Sequence, residues 1–234
     1  MQEDRSGGPW LPRLFDSWPS VMVEEARLGA DAPPIDPAEA EQVEHAVCRR
    51  RIEFATGRWC ARRALARLQI ESFVLKNGPD RAPRWPSGVV GSITHTGKSP
   101  GGFCGVAVGR SSDLLTVGLD AEREDVMAPS LRDYILTPPE QRRLDGVGSA
   151  MRAGLAKVMF SAKECFYKAQ YPLSGRFLRF QDVEIDVDVA GSMFEARLTA
   201  GAPTDLPLAR CVGRYLMEEE FVVTGVAIQA GAPT

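Results

Sequence analysis

Only two histidines, His45 and His95, occur in the 234 residues, and the five cysteines, Cys48, Cys60, Cys104, Cys165 and Cys211, are scattered without a C-x-x-C pair. That leaves no material for a zinc site or a disulfide framework, and the thiols are those expected of a protein in a reducing cytoplasm. Long apolar runs are missing too. The longest charge-free stretch, Phe221 to Thr234, has 14 residues, short of the roughly 20 that a membrane-spanning helix needs. The start, Met1-Gln2-Glu3-Asp4, lacks the basic residues and apolar core of a secretory signal. Net charge is nearly absent: 28 Lys+Arg against 31 Asp+Glu give -3, which argues against a nucleic-acid-coating protein. No Walker loop, G-x-G-x-x-G fingerprint or G-x-S-x-G elbow occurs. With 44% hydrophobic and 25% charged residues, the chain has the composition of an ordinary globular protein, able to bury one large core or two small ones.

The small net charge conceals a segregation. Residues 1–44 carry ten acidic and three basic side chains and include the Pro-rich stretch 32–37, so a loosely packed lead-in is expected. Residues 45–85 reverse the sign, with ten basic side chains (Arg49, Arg50, Arg51, Arg58, Arg62, Arg63, Arg67, Lys76, Arg81, Arg84) against Glu53, Glu71 and Asp80. Six arginines between 49 and 63 repel one another unless an anion compensates, and arginine grips phosphate in a bidentate manner, so a phosphate-rich ligand is expected. From 111 to 145 the balance swings back, with Asp113, Asp120, Glu122, Glu124, Asp125, Asp133, Glu140 and Asp145 against four arginines. A basic region followed by an acidic one suits a metal-bridged polyphosphate site.

Phe54, Ala61, Ala64, Leu65 and Leu68 recur at helical spacing, predicting an amphipathic helix within 39–68. Residues 88–95 and 102–109 read as two strands joined by a Gly/Pro turn, and Leu114 to Leu119 as a third. Thr137-Pro138-Pro139-Glu140 has the form of a capping box opening a helix. Val158, Ala162, Cys165 and Ala169 give the apolar face of a helix over 150–170, and 183–189, 194–198 and 221–228 alternate as strands. Helix followed by strands, twice over, predicts an α+β protein of two halves, 1–110 and 111–234, divided at the polar Gly109-Arg110-Ser111-Ser112.

Asp120 and Glu122 lie two apart at the end of an apolar strand, so both carboxylates leave one face and could reach one cation. Glu164 and Lys168 are one helical turn apart among Phe160, Phe166, Tyr167 and Tyr171. That aromatic setting predicts a helix that is largely buried or lines a cleft rather than one with a solvated face. His95 follows Gly91, Ser92 and Thr94, small and hydroxyl residues that allow close phosphate approach, whereas Cys165 falls on the apolar stripe and is read as core.

In this order, Gly91-Ser92-Ile93-Thr94-His95-Thr96, Val117-Gly118-Leu119-Asp120-Ala121-Glu122 and Phe160-Ser161-Ala162-Lys163-Glu164-Cys165-Phe166-Tyr167-Lys168 resemble the signature blocks of Sfp-type 4'-phosphopantetheinyl transferases. Arg50-Arg51-Ile52-Glu53-Phe54 with Gly57-Arg58, and residues 78–86, extend the resemblance over roughly 45–230, closest to the actinobacterial and enterobactin-synthesis branch. The resemblance implies a monomer of two similar α/β subdomains related by pseudo-twofold symmetry, with coenzyme A in the cleft. It implies Mg²⁺-dependent transfer of the phosphopantetheine arm to a serine of an apo acyl or peptidyl carrier protein, as in polyketide, nonribosomal-peptide or siderophore biosynthesis, releasing adenosine 3',5'-bisphosphate. By matching position, Asp120, Glu122 and Glu164 are expected as metal ligands, Glu164 also as general base and Lys168 beside the transferring phosphate. Arg50, Arg58, Arg81, Ser92, Thr94 and His95 are expected at the nucleotide end, and Lys163 on the pyrophosphate. Leu119 and Cys165 depart from the usual pattern without removing a charge, and Ala121 between the two acids offers no third carboxylate, leaving a water to fill the coordination shell. Met127, Leu131, Tyr134 and Leu136, within 123–150, are equally open to carrier docking and to core packing. Two other readings use the same residues: a metal-dependent nucleotide phosphohydrolase, which would cleave coenzyme A without a carrier, and a non-catalytic coenzyme A-binding module, which would not require all four of Asp120, Glu122, Glu164 and Lys168.

Overall fold

In the computed structural model, residues 9–123, 127–218 and 220–231 are described; Glu124 and Asp125 of the acidic block lie outside them. In chain order the elements are α1 (Trp10–Leu14), β1 (Met22–Arg27), α2 (Pro37–Ala40) with a 3-10 turn at Glu41–Val43, α3 (Cys48–Arg67), β2 (Val89–Thr96), β3 (Phe103–Arg110) and β4 (Leu114–Arg123). Then come α4 (Pro129–Ile135), α5 (Pro138–Asp145), α6 (Ser149–Ser174), a 3-10 turn at Phe180–Asp182, β5 (Val183–Asp188), β6 (Met193–Leu198), β7 (Arg210–Glu218) and β8 (Phe221–Gln229). The protein is α+β, with two antiparallel sheets ordered β1-β3-β2 and β4-β8-β7-β6-β5.

Helix α3 lays Ile52, Cys60, Ala61, Ala64 and Leu65 on the small sheet, closing one core with Leu28, Val106 and Val108. Helix α6 does the same on the large sheet, burying Ala162, Cys165, Phe166 and Ala169 against Ile185, Phe194 and Val226. Gly118 permits the close approach of α6 to β4, since a Cβ there would strike the Cys165 carbonyl oxygen. The α5 start has the expected capping box, with Thr137 and Glu140 exchanging side-chain and backbone bonds. Helix α6 ends at Gly175, whose φ of 66° is the left-handed cap that glycine adopts without strain.

The lead-in departs from expectation. Rather than packing loosely, α1 sets Trp10, Leu11, Leu14 and Phe15 between the sheets with Val23, Phe103, Val117, Leu119, Phe221 and Val223. The Trp10 ring stacks on Phe103 at 5.3 Å and meets Phe221 edge-on at 5.2 Å. Apolar residues at 10, 11, 14 and 15 have helical spacing, and Glu25 on β1 accepts from the first α1 amides, Trp10 N at 2.9 Å and Leu11 N at 2.6 Å. The same segment answers much of the arginine surplus. Glu24 pairs with Arg63 at 2.6 Å and the fully buried Glu39 pairs with Arg62 at 2.7 Å, while Glu53 pairs with Arg49 at 2.8 Å. An internal carboxylate is thus the anion that several of these arginines require.

The predicted helix within 39–68 is confined to Cys48–Arg67, because Pro37 and the 3-10 turn interrupt what precedes it. Strands β1 and β7 were not expected, and among the described residues no helix is long and apolar enough to cross a membrane.

Candidate active site

Strands β2 and β4 meet where the two sheets adjoin, joined by hydroxyls. Leu119 N donates to Ser92 Oγ and Ala121 N to Thr94 Oγ1, each at 3.1 Å. This seam fixes Asp120, which lies between those two amides, and the pleat sends Glu122 to the same face. Helix α6 crosses at Gly118, bringing Ser161, Glu164 and Lys168 (i, i+3, i+7) toward β4.

Asp120 is the hub. Its Oδ1 accepts from Lys168 Nζ at 2.8 Å and from Thr94 Oγ1 at 3.3 Å, and its Oδ2 accepts from Ser161 Oγ at 2.7 Å. Lys168 Nζ also donates to Thr94 Oγ1 at 3.2 Å. Among the described residues, Glu122 and Glu164 have no hydrogen-bond partner. Burial first, and then the Asp120 charge, push the Glu122 carboxyl up to about 7 and the Glu164 carboxyl upward. Burial would lower the Lys168 ammonium, but Asp120 and Glu164 outweigh it and raise it. As they stand, no three His, Cys, Asp or Glu side chains among the described residues converge tightly enough to hold a metal ion, and Asp120 is engaged with Lys168, Thr94 and Ser161.

Beside this centre lies a cavity of about 220 Å³ lined by Lys163, Glu164, Tyr167, Phe177, Leu178, Arg179, Phe180 and Val183. At its rim Tyr167, Tyr171 and Phe177 contact one another ring to ring, with centroids 5.1 to 5.9 Å apart. Tyr171 Oη donates to Asp80 Oδ2 at 3.2 Å, so the loop carrying Arg81 reaches the end of α6. That loop is closed by an Asn77–Pro83 bridge, with Arg81 at φ 65°.

On the face of β2 opposite to Thr94, Arg50 of α3 lies 2.8 Å from His95 Nε2. Arginine can only donate, so Nε2 accepts and the ring proton sits on Nδ1, 3.7 Å from Glu53 Oε2. Burial lowers the His95 pKa against the pull of Glu53, in keeping with a neutral ring.

The site thus brings together Asp120, Glu122, Glu164, Lys168 and Thr94, with His95 next to Thr94 on β2 and Arg50 beside it on α3. Ser92, Arg58 and Lys163 are differently engaged. Ser92 is buried and bonds the β4 backbone at Leu119. The Arg58 guanidinium is buried over the Phe54 ring at 4.1 Å, donates to Leu75 O at 2.7 Å and to Asn77, and is pushed down to about 10 by burial. It braces the approach to the Arg81 loop. Lys163 turns away from Asp120 and puts its ammonium 2.8 Å from Ile135 O, Phe180 O and Glu140 Oε2. Met127 and Leu136 are buried in the core whereas Leu131 and Tyr134 are exposed.

Sequence reading missed Ser161 and Thr224, whose hydroxyls lie 2.9 Å apart behind Asp120. The spacing of Ser161 with Glu164 and Lys168 carried the signal for the first. Thr224 becomes visible only through its pairing with Asp120 across β4 and β8.

Two protein-family models match the chain: the 4'-phosphopantetheinyl transferase N-terminal domain over residues 38–109 and the 4'-phosphopantetheinyl transferase superfamily over 116–220. The chain is 39% identical over 231 residues to the 4'-phosphopantetheinyl transferase Svp of Streptomyces mobaraensis, covering 96% of this chain and 91% of that protein. It is 33% identical over 223 residues to the 4'-phosphopantetheinyl transferase PptT of Mycobacterium tuberculosis, covering 90% and 95%. Enterobactin synthase component D of Escherichia coli matches at 34% over 143 residues, covering 60% and 65%. With most of its length matched in this way, the chain belongs to the 4'-phosphopantetheinyl transferase superfamily and is an enzyme of that type.

Proposed function

We propose that this enzyme moves the phosphopantetheine arm of coenzyme A onto a serine of apo acyl or peptidyl carrier proteins, with Mg²⁺, releasing adenosine 3',5'-bisphosphate, and that it works as a cytoplasmic monomer. The observation that carries the reading is the junction of Asp120, Lys168 and Thr94 at 2.8 to 3.3 Å, with Glu164 one turn before Lys168 on the wall of the cavity.

The cavity, mostly apolar and aromatic, suits the pantetheine arm, and the polar seam beside it suits the pyrophosphate. Arg50 on α3, together with its neighbour His95 on β2, is assigned to the 3'-phosphate. Arg81 is assigned to the nucleotide through the loop that Asp80 and Tyr171 hold against α6, and Arg58 supports that loop from behind. Thr94 and Ser92 keep β2 in register with β4, so their contribution is to alignment.

The donor set fits a hard divalent cation in kind. Asp120, Glu122 and Glu164 offer carboxylate oxygens, and burial first, with the Asp120 charge second, raises two of them, so a cation bound there would relieve part of that cost. Bound by these three carboxylates, Mg²⁺ would supply neutralising charge at the pyrophosphate. The protein's own side chains then account for the chemistry. Glu164, its pKa raised by burial, takes the proton of the incoming serine hydroxyl. The serine oxygen forms its bond to the β-phosphorus as the bond to the bridging oxygen breaks, and the nucleotide leaves as the 3',5'-bisphosphate. Lys168 remains protonated, held so by Asp120 and Glu164, and neutralises charge on the transferring phosphoryl oxygens.

Incubation with coenzyme A, Mg²⁺ and a panel of apo carriers tests this. One carrier serine is expected to gain one phosphopantetheine. Cleavage of coenzyme A with the carrier omitted would replace the reading with hydrolysis, and unchanged carriers throughout the panel would remove it.

A further inference from the structure

The polar cluster behind the cavity has a job that the phosphate reading of Lys163 does not explain. The Lys163 side chain is 1% exposed and that of Glu140 0%. The ammonium has three hydrogens and three acceptors at 2.8 Å: Ile135 O at the end of α4, Phe180 O in the 3-10 turn, and Glu140 Oε2 in the first turn of α5. Glu140 is equally engaged, accepting from Thr137 N at 2.6 Å and Ile185 N at 2.7 Å. One ion pair therefore ties together α6, the α4–α5 junction, the 3-10 turn and β5. Lys163 has no donor left for a phosphate, and reaching one would strand the Glu140 carboxylate where no water can replace its partner.

The elements tied together are the two walls of the cavity. Glu164, the next residue on α6, and Tyr167 form one wall, and Leu178, Phe180 and Val183 form the other. The Tyr134 ring, on the exposed side of α4, contacts Phe180 with centroids 5.7 Å apart, so the same tie reaches the protein surface. We infer that Lys163, through its buried bond to Glu140, is a positioning residue that fixes the spacing of the cavity walls and so the placement of the Glu164 carboxylate, and that it does not bind the pyrophosphate.

This rests on the transfer reading above, and wild-type transfer is the control that separates the two: no transfer by wild type would remove that reading, whereas the variants bear on the inference alone. Lys163→Met, Glu140→Gln and the double variant are compared by thermal midpoint, by coenzyme A affinity and by kcat at saturating coenzyme A and carrier. Lys163→Met alone leaves a buried carboxylate unpaired and is expected to lower the midpoint, which the double variant restores only in part, because Ile135 O and Phe180 O still lose their donor and a glutamine amide accepts from only one of Thr137 N and Ile185 N. In every folded variant the coenzyme A dissociation constant is expected within about twofold of wild type while kcat falls about tenfold, because the groups remain and their placement loosens. Glu140→Gln, remote from any phosphate, is expected to show the same split. A coenzyme A affinity weakened about tenfold or more in the double variant, or a kcat unchanged in both the double variant and Glu140→Gln, would overturn the inference.

Discussion

Replacing Lys168 by methionine keeps the length of the side chain and removes its charge. The ammonium lies 2.8 Å from Asp120 Oδ1, with the Asp120 side chain 5% exposed and that of Lys168 27% exposed. Removing one partner of a buried ion pair costs about 3 to 5 kcal/mol, and the solvent that reaches Lys168 places the expectation at about 3 kcal/mol. The cost has a definite pH dependence. Glu122 sits at about 7 in the folded chain against an ordinary 4.5, and Glu164 is displaced in the same direction. A carboxylate raised by folding stabilises the fold fully below its unfolded pKa and loses that contribution as pH rises through the folded value, here through about 7 for Glu122. Lys168 lowers both groups, so without it the loss on the alkaline side deepens. Urea unfolding in EDTA at about pH 5.5 and about pH 8 reads this directly, with the larger deficit expected at the higher pH. A deficit below about 1 kcal/mol at the higher pH, or one that shrinks as pH rises, would refute the electrostatic account of the site.

Other consequences follow from the packing and from the nucleotide end. Gly118→Ala forces a methyl against the Cys165 carbonyl, so a loss of about 1 to 3 kcal/mol in denaturant unfolding is expected, together with a lower kcat as α6 moves off β4. Trp10→Ala empties a site between the two sheets and is expected to cost about 3 to 5 kcal/mol; a thermal midpoint equal to wild type would mean that the lead-in is not part of the core. Arg50→Ala should raise the KM for coenzyme A about tenfold while leaving that for 3'-dephospho-coenzyme A nearly unchanged. Arg58→Ala, acting through the loop that its guanidinium holds, should raise both alike, and selectivity for the 3'-phosphate in that variant would return Arg58 to the ligand.

Where chemistry and period coincide within one element, the sequence carried the answer. Asp120 with Glu122, Glu164 with Lys168, the Thr137–Glu140 capping box and the apolar stripes of α3 and α6 all depend on local spacing. What lay beyond it was pairing between distant segments. The lead-in reads from sequence as loosely packed because Glu24 and Glu39 acquire meaning only against Arg63 and Arg62. Lys163 looked like a phosphate ligand beside Glu164, yet its direction is set by Glu140, 23 residues upstream. Arg58 was rightly placed on α3, but its partner at Leu75 follows a chain reversal that no period announces. Segregation of charge along the sequence showed where the basic and acidic side chains concentrate, but not that Glu24, Glu39 and Glu53 neutralise Arg63, Arg62 and Arg49 internally.

The central claim is that the Glu164 carboxylate, on the wall of the cavity formed by α6 and residues 177–183, takes the proton that allows a carrier serine to accept the arm. Its most direct test is a single-turnover measurement by mass spectrometry of wild type and Glu164→Gln, with coenzyme A and Mg²⁺ saturating and one responsive apo carrier. The account predicts that the wild type adds one phosphopantetheine to one serine and that the variant binds coenzyme A but transfers about a hundredfold to ten-thousandfold more slowly. Equal transfer rates in the two proteins would contradict it.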